Sequence, residues 1–175
     1  YLVKLAELLS APVFETPAYT NFPTDHPLHL GYDISPYLKD ADLILVVDSS
    51  GWPPWYPPTR VLSLSNAKIV FVDVDPLQVK YPYWGYPADL LITADSSLAI
   101  PALLETIKPM IPRRTLKKFE ERRNKWRIER ERLRAEWRSE ALKAGDRKPI
   151  DPKWLCYNIN ELVDENTIIV HETIT

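Results

Sequence analysis

The chain has 175 residues, 45% of them hydrophobic, and a formal net charge of -2. That length can bury one well-formed core with part of another, and no apolar run reaches the roughly 18–20 residues of a membrane span, so no membrane partner is expected. Cys156 is the single cysteine, which excludes a disulfide framework and a cysteine-based metal site.

With no signal-peptide pattern, a reducing cytoplasm is the expected compartment. Tyr1 opens directly into a helical pattern without an initiator methionine, so a piece of a longer polypeptide is expected. Leu2, Leu5 and Leu9, with Ala6 on the same face, predict an amphipathic helix ending near Ser10. Val13–Thr16 reads as a short strand. A parallel unit normally places a strand before such a helix, and its lack here again points to a piece. The loop Tyr19–Asp33 is rich in Pro, Gly and polar residues. His26 and His29 lie three apart in it, but no third ligand is identifiable and no metal is expected.

Ser35 and Pro36 predict a helix to about Lys39, with Ser35 as cap and proline at the first position. Asp42–Asp48, DLILVVD, reads as a buried strand flanked by carboxylates. The following loop, SSGWPPWYPPTR, is stiffened by proline, and its aromatics are expected to pack on the domain. Ala67–Pro76, AKIVFVDVDP, is the stretch around which the chain is organised. Ile69, Val70, Phe71 and Val72 have the apolar, β-branched and aromatic character of a strand buried on both faces of a parallel sheet. Asp73 and Asp75 stand at its carboxyl end, and Asp75 can cap a helix begun by Pro76. Ligands of open α/β sheets lie beyond strand carboxyl ends, so this turn is a candidate site; the plain alternative is that the two aspartates only cap and solvate it.

Leu90–Thr93 reads as a fourth strand and Leu98–Ile107 as a helix with Leu103, Leu104 and Ile107 inward, provided Pro101 lies in its first turn. Four strand–helix units in alternation predict an α/β fold with a doubly wound parallel sheet. Arg113–Ala144 is almost wholly helix-forming, and Gly145 stops it. The block Arg113–Lys148 carries 15 Lys/Arg against 7 Asp/Glu. Leu116, Phe119, Trp126, Leu133 and Trp137 form one narrow stripe, with Ile128 off it. The stripe favours a solvated linker helix lying on its own protein, with Trp126 and Trp137 buried, over a nucleic-acid-binding helix. Asp151 caps a last helix begun by Pro152, with Leu155, Ile159 and Leu162 inward. Thr167–Val170 reads as a strand delivering His171, Glu172, Thr173 and Thr175 to the carboxyl end of a new α/β unit. The expected division is thus 1–108, a central Rossmann-like domain; 109–148, a charged linker helix; and 149–175, the start of a further domain.

FPTDHPLHLG, DLILVVDSS, NAKIVFVDVDP and ADLLITADSS, in this order and spacing, resemble the central domain of thiamine-diphosphate enzymes of the acetolactate synthase group. Phe22, Pro23, Asp25, His26, Pro27, Leu28, Leu30 and Gly31 match the family's Phe-Pro-x-Asp-His-Pro-Leu-x-Leu-Gly loop. Ala67, Lys68, Ile69, Asp73, Asp75 and Pro76 match its Ala-Lys-Ile-x-x-Ile-Asp-x-Asp-Pro segment. The charged helix resembles the interdomain linker, and Ile150–Thr175 the opening of the diphosphate-binding domain.

The resemblance implies a parent that uses thiamine diphosphate and Mg²⁺ to decarboxylate a 2-oxo acid or join it to a second carbonyl compound. The cofactor's ylide attacks the 2-oxo acid carbonyl and stabilises the carbanion left by loss of CO2. Such a parent would supply a catalytic Glu from an amino-terminal domain and a Gly-Asp-Gly…Asn-Asn motif from the carboxyl-terminal one. Neither occurs here, so the piece is expected to be mainly structural, without catalytic residues and inactive alone. Its partners would be the remaining domains of the same polypeptide, in a homodimer or homotetramer. Glu172, Thr173, Thr175 and His171 are the cofactor-facing candidates, with Ile174 where many members have Gly. Asp73 and Asp75 would mark a vestigial nucleotide site. Flavin-binding members carry Gly-x-Arg-Phe-Asp-x-Arg after the second strand. Here Asp48–Pro54 replaces it and no arginine occurs before Arg60, so weak or absent FAD binding is expected. Two other readings compete. One is a free-standing nucleotide-binding module in which Asp73 reads a ribose hydroxyl, although no G-x-G-x-x-G turn is present. The other is a nucleic-acid-associated protein using the basic helix.

Overall fold

The computed structural model describes residues 1–15, 21–49, 66–77 and 88–169. At its centre β1 (Leu43–Val47), β2 (Lys68–Asp73) and β3 (Leu90–Thr93) form a parallel three-stranded sheet in chain order. Ile44 pairs with Ile69 and Val46 with Phe71; Phe71 in turn pairs with Leu91, and Asp73 with Thr93. Because side chains alternate along a strand, Ile44, Val46, Ile69 and Phe71 share one face. They pack there with fully buried Leu38, and Ile34, Ala41, Ala67 and Ala88 close the cluster. On the other face Val72 is fully buried, so β2 is covered on both sides as its apolar run predicts. The same expectation fails for β1, whose Leu43 and Leu45 are exposed on that second face.

The compact units are Tyr1–Arg130 and Glu131–Thr175, and the division falls inside the long helix. In the first unit, α1 (Leu2–Leu9) ends at Ser10, which adopts a left-handed conformation, φ 49°. Val13 is not in a strand. It makes a single parallel bridge to His29, held by Val13 N–H to Leu28 O and Leu30 N–H to Val13 O. Ser35–Asp40 is a 3-10 helix rather than an α-helix, and Ser35 does not cap it; Asp33 accepts the Ser35 N–H instead, at 2.9 Å. After β2 the chain turns at Pro76 and Leu77, and the helix expected to begin at Pro76 runs into residues outside those described. α2 (Ser96–Ile107) is capped by Asp95 and begins two residues earlier than its apolar pattern suggests. Pro101 is therefore its sixth residue, in the interior, where it removes one backbone hydrogen bond. Ile100 is buried, while Leu103, Leu104 and Ile107 are half-buried.

α3 (Leu116–Lys143) is the charged helix. Its first half is tied down within the first unit by long polar side chains. Arg122 donates to Leu9 O at 2.5 Å, Arg123 to Glu7 O at 3.1 Å, and Arg130 to Thr24 O. Tyr37 donates its hydroxyl to Glu129 at 2.7 Å, and its ring packs edge-to-face with Trp126 and at a tilt against Phe14. The apolar stripe is only partly buried. Trp126 is 8% exposed and Phe119 is half-buried, but Leu116 is exposed and Trp137 is 45% exposed. The expected burial of Trp137 is thus corrected.

In the second unit, α3 ends at Lys143 and the Gly145 N–H closes a turn onto Leu142 O. α4 (Pro152–Leu162) begins with proline after the Asp151 cap, as expected. Its inward face is not the expected one: Leu155, Ile159 and Leu162 are all exposed. Trp154 and Tyr157 are half-buried instead, stacked on each other, with the Arg138 guanidinium over the Tyr157 ring. Ala141 and Ala144 are the buried side chains there, and Lys153 pairs with Glu140 at 2.6 Å. Thr167–Ile169 forms no strand; Thr167 closes a turn with Asp164, and Ile168 and Ile169 are exposed. Among the described residues no helix is long and apolar enough to cross a membrane.

Candidate functional site

A parallel sheet brings all its strand carboxyl ends to one edge, and here that edge is acidic. β1 runs out into Asp48, which takes a left-handed φ of 45° and donates its N–H to Val72 O. Aspartate tolerates that conformation better than most residues with a side chain. β2 ends at Asp73, whose carboxylate accepts the Asp75 N–H at 2.7 Å. The Asp73 carbonyl accepts the Ala94 N–H from the turn after β3. Asp95 follows in that turn and accepts the Ser97 N–H at 2.8 Å, closing the first turn of α2. Hydrogen bonding from the Ser97 side chain and then from its N–H favours the ionised form and holds the Asp95 carboxyl below its ordinary range.

Asp48, Asp73, Asp75 and Asp95 therefore mark the ends of neighbouring strands or the turns just beyond them. Ionised carboxylates accept hydrogen bonds from hydroxyl and amino groups and repel phosphates. The Asp73–Asp75 contact is an ordinary turn bond, in line with the capping role allowed by the sequence. The structure brings the two together as a turn. Arg60 and the Trp-Pro loop lie outside the described residues, as do His171, Glu172, Thr173 and Thr175.

A second cluster lies in the motif-bearing loop. Glu15 is its centre. One carboxylate oxygen accepts the N–H groups of Asn21 and Phe22, the latter at 2.9 Å, and the other meets His29 Nε2 at 2.9 Å. Both side chains are almost fully buried, at 5% and 4% exposure. The His29 Nδ1 has no partner among the described residues. His26 Nδ1 accepts the Leu28 N–H at 3.1 Å, which leaves its Nε2 to face Glu7 at 3.4 Å. Phe22 lies between the imidazoles, edge-on to His26 and stacked with His29. Phe22, Leu28 and Leu30 are buried. Each histidine is thus paired with a carboxylate, and the loop matching the family motif is a packed element. No group of three or more His, Cys, Asp or Glu that could hold a metal occurs among the described residues.

Glu15 was not singled out by the sequence, because a partner fourteen residues away leaves no local periodicity. The only available signal was a carboxylate at the foot of a loop with two histidines. An open groove of about 690 Å³ lies beside Lys4, Glu7, His26, Leu28, Leu104 and Arg123. It borders the carboxyl-terminal part of α2, remote from the Asp95 end that adjoins the acidic edge, and its charged rim has both signs. Comparison with family models, curated proteins and solved structures finds no match to this chain.

Proposed function

We propose that the chain is the central domain, linker helix and opening of the diphosphate-binding domain of a thiamine-diphosphate- and Mg²⁺-dependent enzyme. The parent would be an acetolactate synthase-like decarboxylase or carboligase acting on a 2-oxo acid. The observation that carries this reading is the parallel, chain-order pairing of β1, β2 and β3. These strands coincide with DLILVVDSS, NAKIVFVDVDP and ADLLITADSS, the segments on which the resemblance rests. The loop supports the reading in that its apolar motif residues Phe22, Leu28 and Leu30 are buried beside the Glu15–His29 pair, while Pro23, Asp25 and Pro27 are exposed.

The described residues do not include the candidates for holding thiamine diphosphate, so no catalytic step is assigned to them. The acidic edge does not suit a flavin diphosphate. When bound, thiamine diphosphate would supply the carbanion-stabilising chemistry, and this piece would contribute rigidity and the spacing of neighbouring domains.

Against a nucleic-acid role stand Arg122, Arg123 and Arg130, whose guanidinium groups are engaged with backbone carbonyls of the same unit. A dedicated phosphate-binding face would leave such groups available. The test is to express the chain together with its flanking coding sequence. Thiamine-diphosphate-dependent release of CO2 from a 2-oxo acid is expected. An extended protein that binds no thiamine diphosphate by calorimetric titration would overturn the reading.

A further inference from the structure

We draw no further inference here: the strongest candidate, the exposed apolar patch of Leu43, Leu45 and Leu90 on one face of the central sheet, carries nothing because nothing in the structure shows what covers it.

Discussion

Arg122 of α3 donates a hydrogen bond of 2.5 Å to the carbonyl of Leu9, the last residue of α1. A helix end leaves its final carbonyls without intrahelical donors, and a cation there also favours the negative end of the helix dipole. Arg123 reaches the Glu7 carbonyl beside it. Two consecutive arginines of one helix thus finish the hydrogen bonding of another, more than a hundred residues earlier. This gives the basic character of α3 a structural use.

Arg122→Ala should destabilise the protein by about 1.5–3 kcal/mol, the range for a hydrogen bond to a charged group. Arg122→Lys should recover part of the loss, because a single ammonium lacks the reach and fork of a guanidinium. Exposed Arg134→Ala should change stability by less than about 0.5 kcal/mol. Urea unfolding of the three variants measures this; equal losses at Arg122 and Arg134 would show that the helix charges act only collectively.

Trp126 and Trp137 separate in the same way. Trp126 is buried against Tyr37, so Trp126→Ala should cost about 3–5 kcal/mol. Its indole N–H is buried with no partner among the described residues, so Trp126→Phe should cost much less, since the ring contact survives and the unsatisfied donor goes. Trp137→Ala should cost about 1–2 kcal/mol, because nearly half of that residue is in water. Thermal unfolding distinguishes them, and comparable losses at the two tryptophans would refute the assignment.

These tryptophans also mark where sequence reasoning stops. β3 and the start of α4 were legible to the residue, because a short apolar run ending in Ile92 and Thr93 and an Asp-Pro start impose their geometry locally. Burial is not local. The stripe of α3 has the right period along its length, yet burial of each member depends on which neighbour happens to lie beneath it. Leu155, Ile159 and Leu162 repeat at helical spacing and are exposed, whereas Trp154 and Tyr157 take the packed positions. At the candidate site, the acidic strand ends were visible as Asp-x-Asp, but the Glu15–His29 pair depended on a tertiary approach that no spacing rule encodes.

Ser10 carries a strain that a single substitution should relieve. It is fully buried in the left-handed region, and its hydroxyl has no hydrogen-bond partner among the described residues. This is the position after a helix at which glycine is favoured. Ser10→Gly removes the steric penalty and the unsatisfied hydroxyl together, against a larger entropy loss on folding. The expected net effect is a stabilisation of about 0.5–1 kcal/mol, and Ser10→Val should destabilise. A lower melting temperature for Ser10→Gly would mean that the hydroxyl contributes more than its geometry indicates.

Asp151 links α4 to pH. The Lys153 N–H and the Arg147 guanidinium hydrogen-bond its carboxylate and hold its carboxyl below the ordinary range. A lowered folded-state value means that the unfolded chain takes up the proton first. The stabilisation is therefore complete well above the ordinary aspartate value near about 3.9 and is lost as pH falls through the lower, folded value. Glu140 is held low by Lys153 and changes in the same direction, so wild-type acidification alone cannot separate the two. Asp151→Asn keeps an acceptor for the cap and removes the titration. The pH dependence of amide exchange at Lys153 should be steep in acid for the wild type and flattened in the variant. An unchanged profile would assign the acid sensitivity to Glu140 instead.

The sheet edge where a cofactor would rest carries Asp48 directly after β1, Asp73 at the end of β2, and Asp75 and Asp95 in the next turns. Asp73 and Asp95 each accept a backbone N–H, so their carboxylates are built into the turns. The diphosphate of FAD would bring further negative charge to this edge, and like charges at short range oppose binding most strongly where water is excluded. The purified protein should therefore be colourless and show no micromolar affinity for FAD by fluorescence titration. Asp73→Asn retains a side-chain oxygen that can accept the Asp75 N–H, and Asp48→Asn tolerates the left-handed backbone. Combining them should strengthen residual FAD binding about three- to tenfold, equivalent to roughly 0.6–1.4 kcal/mol. A yellow protein on purification would overturn the prediction at once. Weak binding that the double substitution leaves unchanged would show that steric fit, and not the carboxylates, keeps flavin away.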